Sequence, residues 1–68
     1  MHEIVKMYDL LVDYNTIANE DEMISIEIFT RPLAIDVWVV TGDPMKGFAS
    51  FQSINKWLKS RISGLVND

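Results

Sequence analysis

The chain has 68 residues, 49% of them apolar, and a formal net charge of −4. That length makes one domain, which buries only about 60% of the surface its unfolded form exposes; the core is thin, and dense apolar packing or self-association must supplement it. The absence of cysteine excludes disulfides and thiolate-ligated zinc, and the apolar content excludes a disordered chain.

Charge is unevenly placed. Residues 1–30 hold seven acids against Lys6, a balance of −6, while residues 44–68 hold Lys46, Lys56, Lys59 and Arg61 against Asp68, a balance of +3. So few basic groups neutralise too few phosphates for non-specific nucleic-acid binding to be expected. The strand region has no strictly apolar run longer than Val37 to Val40, far short of a membrane span. Glu3, Lys6 and Asp9 interrupt the N-terminal apolar residues where a secretory leader needs none. A cytoplasmic protein is expected.

Taken in order, residues 2–18 predict a helix. Lys6, Asp9, Asp13 and Thr16 fall three and four apart and line one polar stripe. Ile4, Met7, Tyr8, Leu11, Tyr14 and Ala18 form a central apolar band, flanked by Val5 and Val12 on one side and Leu10 and Ile17 on the other. At about 100° per residue the apolar arc spans roughly 240°, more than one sheet can cover. The excess points to a second helix beside the first, or to a second copy of the chain. Tyr8 and Tyr14 suit a wet rim. Asn19, Glu20, Asp21 and Glu22 then form an acidic linker that lacks the spacing of a calcium loop and suits steering toward a basic partner.

Two alternating apolar runs follow, Ile24, Ile26, Ile28 and then Ile35, Val37, Val39. Period two predicts strands over 23–31 and 34–41. Pro32 at the second position of an Arg31-Pro32-Leu33-Ala34 turn joins them as a hairpin. That turn sets Ile28 against Val37, Ile26 against Val39 and Ile24 against Thr41. It also sets Glu27 against Trp38 and Asp36 against Phe29, leaving the two acids diagonal. One face is then aliphatic, and the other carries Ser25, Glu27, Phe29, Asp36, Trp38 and Val40.

Residues 42–49 read as a long loop. Gly42 and Gly47 have P-loop spacing, but Phe48 and Ala49 stand where lysine and a hydroxyl residue are required. Ser50 predicts the N-cap of a second helix over 50–63, with Gly64 just past its end. Its stripe is Phe51, Ile54, Leu58, Ile62 and Leu65. Trp57 lies off that stripe, on the flank of Arg61, either folded over the core's rim or under the guanidinium.

Together these elements predict a two-layer α+β domain over 1–68 in the order helix, β-hairpin, helix, with both helices on the aliphatic face. A two-stranded sheet is marginal alone, so a homodimer extending it is expected. No catalytic constellation is present: the one histidine is His2, there is no thiol, and a two-stranded sheet offers Glu27 and Asp36 no cleft. Neither enzymatic activity nor a metal or cofactor is expected. Phe29 and Trp38, flanked by Glu27 and Asp36, have the look of interface anchors, and with Glu20, Asp21 and Glu22 steering they suggest an inhibitor or adaptor for a basic protein. In size and charge the chain resembles small acidic inhibitors that mobile elements direct against nucleic-acid enzymes, a likeness of composition that no motif carries. The alternatives are a nucleic-acid-binding domain using Lys46, Lys56, Trp57, Lys59 and Arg61, or a purely structural homo-oligomer.

Overall fold

The structure is a computed structural model that describes residues 2–66; Met1, Asn67 and Asp68, at the ends of the expected domain, lie outside the described residues. Its elements are α1 (Glu3–Ile17), a short 3-10 turn (Glu20–Glu22), β1 (Ile24–Thr30), β2 (Leu33–Val39), β3 (Pro44–Phe48) and α2 (Phe51–Val66). This is the expected α+β fold with one addition. The residues read as a loop over 42–49 contain β3, so the antiparallel sheet has three strands in the order β1-β2-β3.

The aliphatic face forms as the alternation predicts. Ile24, Ile35 and Val37 from the sheet share one buried cluster with Met7 and Tyr14 of α1 and Ile54 and Leu58 of α2. Each large side chain so enclosed contributes about 1.5–3 kcal/mol. Both helices lie on this face, and the molecule is a slab of 36 × 29 × 14 Å.

The hairpin register differs from the expected one by two residues. Ile24 pairs with Val39, Ile26 with Val37, Ile28 with Ile35 and Thr30 with Leu33. The turn is centred on Arg31-Pro32, whose peptide bond is cis, one position earlier than predicted. Because the slip is even, every side chain within β1 and β2 keeps its face; Val40 and Thr41, read as the end of the second strand, lie beyond Val39 in the turn toward β3. Glu27, however, stands directly opposite Asp36, and Ser25 opposite Trp38.

Gly42, at φ 102°, allows the tight return into β3, where its N–H donates to the Val39 carbonyl at 2.8 Å. Pro44 begins the edge strand, a position where a missing N–H costs no ladder bond. A bulge follows: Val37 pairs with Lys46, but Trp38 pairs with Pro44, leaving Met45 as the extra residue.

The first helix buries only part of its apolar arc. Met7 and Tyr14 are enclosed, while Ile4, Val5, Tyr8, Val12 and Ile17 are exposed. Tyr14 is therefore a core residue and not a rim one; its hydroxyl donates to the Glu22 carbonyl at 3.1 Å, which supplies the polar partner that a buried phenol needs. Ser50 caps α2 as predicted, accepting from the Ser53 N–H at 3.2 Å. Gly64 does not end that helix, which runs on to Val66 because Leu65 still packs against the core. Asn55, only 4% exposed, ties the two helices together by donating to the Glu3 carbonyl (2.9 Å) and to the Glu3 carboxylate (2.8 Å).

Candidate functional site

With both helices on one side, nothing among the described residues covers the other face of the sheet. β1 places Ser25, Glu27 and Phe29 there, and β2 places Ala34, Asp36 and Trp38. Phe29 is 48% exposed; Asp36 and Trp38 are half-buried. All four side chains singled out from the sequence thus share this surface. Their pairing is the correction: Glu27 and Asp36 are cross-strand neighbours, not diagonal ones. Like charges directly opposite one another are destabilising, and no cation among the described residues forms an ion pair with either; the Lys6–Glu3 pair, at 3.7 Å, lies on α1.

β3 completes the surface with residues that periodicity did not single out. Gly47 pairs with Asp36, and a Cβ added to that glycine would stand 3.3 Å from the Asp36 Oδ1. The Asp36 carboxylate thus lies against β3 at this position, where a side chain would press it back by a few tenths of an ångström. Beside the Met45 bulge lies a groove of about 390 Å³, lined by Asp36, Val37, Trp38, Pro44, Met45, Lys46 and Gly47. It is an open, mixed surface, with an indole on one wall and a carboxylate beside it.

The basic residues of the nucleic-acid alternative are only partly assembled. The Lys46 ammonium stands 5.5 Å from the Phe48 ring centre, Phe48 and Trp57 are 5.5 Å apart, and the Arg61 guanidinium lies 5.4 Å from Trp57 and 6.0 Å from Tyr14. Trp57 thus meets both sequence expectations, half-buried at the rim and under a guanidinium. Arg61 also reaches the Tyr14 hydroxyl at 3.5 Å, so its guanidinium is engaged within the fold. Lys56 and Lys59 are exposed on α2.

The acidic stretch is a 3-10 turn, with Glu20 and Asp21 exposed and Glu22 accepting from the Asn19 side chain at 2.7 Å. Among the described residues, no three histidine or carboxylate side chains converge as metal ligands, and no helix is long and apolar enough to cross a membrane. In comparisons with known proteins, no family model matches the chain, and neither a curated protein nor a solved structure does.

Proposed function

We propose that this chain is a non-enzymatic protein-binding module, an inhibitor or adaptor that takes a basic segment of its partner on the uncovered face of the sheet. What carries this is one arrangement: Glu27 opposite Asp36, without an ion pair to any described cation, with Phe29 and Trp38 as their neighbours. A guanidinium laid between two carboxylates forms charge-assisted hydrogen bonds and relieves their repulsion. The same group can stack on the indole of Trp38, which adds about 0.5–2 kcal/mol according to how well the pair is desolvated. The groove beside Trp38 gives the partner's neighbouring apolar side chain a seat. Glu20, Asp21 and Glu22 act at longer range, raising the encounter rate with a basic partner.

The test is a titration of a dye-labelled arginine-rich peptide with the intact protein, followed by fluorescence anisotropy. Saturable binding is expected that weakens about tenfold or more in Glu27→Gln/Asp36→Asn and in Trp38→Ala. Glu20→Gln/Asp21→Asn removes the same charge from the distant turn and should cost at most about threefold, mainly in the association rate. Equal losses in the two double variants would mean diffuse charge attraction and overturn the assignment.

A further inference from the structure

One edge of the sheet is a second unpartnered surface, which shares only Glu27 with the face just described. β1 lies at the end of the strand order. The Val40 N–H donates to the Met23 carbonyl at 3.0 Å, so Met23 turns its main-chain groups toward β2. In an antiparallel pair that orientation alternates, and Ile24 turns its groups outward. There the Asn15 side chain meets them as a neighbouring strand would: its amide donates to the Ile24 carbonyl at 3.0 Å and its oxygen accepts from the Ile24 N–H at 2.9 Å. Asn15 thus plugs the edge at Ile24. By the same alternation Ile26, Ile28 and Thr30 present theirs to whatever lies beyond.

The flank of α1 that carries Asn15 stands over this edge. At about 100° per residue, Ile4, Tyr8, Leu11 and Val12 fall within roughly 60° of Asn15. Tyr8 is 52% and Val12 63% exposed, and no charged side chain interrupts them. An open strand edge and an exposed neutral apolar stripe therefore lie side by side.

We propose that this combined surface pairs with a second copy of the chain, β1 against β1 and antiparallel, about a twofold axis at Ile28, with the two α1 stripes packed on one another above the junction. Three observations select this occupant and this register. The stripe is neutral, so two copies of a chain of net charge −4 meet over it without bringing like charges together. An axis at Ile26 would need the Ile24 groups that Asn15 already occupies, one at Glu27 would set Glu27 against itself, and one at Phe29 would set Ile26 against Pro32 and leave only Ile28 and Thr30 paired. An axis at Ile28 pairs Ile26 with Thr30 of the second copy and ends at Pro32, which has no N–H to offer. It sets Glu27 opposite Phe29 of the second copy, with Glu27 and Arg31 of that copy both diagonal to it at about 7–8 Å; the long Arg31 side chain can reach either carboxylate. Glu27 and Arg31 are both exposed and form no ion pair with a described residue. The twofold makes the contact twice, as an isologous interface requires.

Sedimentation equilibrium of the full chain over a wide concentration range tests this. The wild type should reach twice the chain mass. Glu27→Arg and Arg31→Glu should each raise the dissociation constant about tenfold or more, and the two together should restore it, because the pair is again opposite in sign. Val12→Lys, on the stripe, should act like a single reversal. All of these positions are exposed, and far-UV circular dichroism confirms that each variant is folded. Arg31→Glu leaves Glu27, Asp36 and Trp38 in place, so a failure here and a failure of the peptide titration are separable. A monomer at every concentration would overturn the proposal and leave the edge to an extended segment of another protein. So would a double reversal that fails to recover the dimer.

Discussion

Asn15→Ala removes both hydrogen bonds that a helix side chain makes to the start of β1, at 3.0 and 2.9 Å. Each contributes about 0.5–1.5 kcal/mol net of water. The Ile24 groups face a sheet edge and can rehydrate, so neither is left orphaned and the full desolvation penalty does not apply. The expected loss is about 1–2 kcal/mol, which in a domain this size lowers the melting temperature by about 4–16 °C. Thermal unfolding followed by far-UV circular dichroism, at a concentration low enough to keep the protein monomeric, reads it directly. Asn15→Asp is the sharper variant. Its carboxylate can still accept from the Ile24 N–H but sets a second acceptor against the Ile24 carbonyl, so it should be no more stable than alanine. A melting temperature for Asn15→Ala within about 2 °C of wild type, or an aspartate variant as stable as wild type, would refute the reasoning.

Two further outcomes follow from the contacts between the elements. The Glu3 carboxyl is held below its ordinary value chiefly by the hydrogen bond from Asn55, with a smaller contribution from Lys6. A carboxyl depressed in the folded state adds stability above its unfolded value of about 4.3 and loses it as pH falls through the folded one. Urea midpoints should therefore drop more steeply on acidification in wild type than in Glu3→Gln, and identical acid limbs would contradict the assignment. Arg61 packs against Trp57 and Tyr14, so Arg61→Ala should cost about 1–2 kcal/mol in urea unfolding and Arg61→Lys less. An unchanged midpoint for the alanine variant would mean that this guanidinium is free to serve a ligand.

The hairpin could be read from Ile24, Ile26 and Ile28 set against Ile35, Val37 and Val39, because burial of one face imposes period two. Its register could not, since proline serves at more than one position of a turn and Pro32 admits placements one residue apart. An even slip spares the faces, which is why Phe29, Trp38, Glu27 and Asp36 emerge together while the direct opposition of the two acids does not. β3 was hidden for three local reasons: Pro44 and Gly47 are poor strand residues, and the bulge at Met45 breaks the alternation. The groove, which Gly47 and Met45 line, was hidden with it. An apolar arc of roughly 240° on α1 asked for more cover than two strands provide, and α2, packed beside it, supplies part of that cover. Ile4, Tyr8 and Val12 remain uncovered even so. Asn15 carried its own mark, as a polar residue on the apolar side of α1, away from the stripe of Lys6, Asp9, Asp13 and Thr16; helical spacing alone does not say which backbone it meets. Gly64 misled because glycine so often follows a helix end, whereas here the packing of Leu65 outweighs a glycine penalty of about 1 kcal/mol.

The most direct test of the binding surface is a map of amide chemical-shift changes in the isotopically labelled protein as the arginine-rich peptide is added. Changes should concentrate on Glu27, Phe29, Asp36, Trp38 and the Met45–Gly47 segment and saturate together, leaving α2 nearly still. Changes confined to the Glu20–Glu22 turn, or spread along α1 and α2 with the outer face of the sheet silent, would contradict it.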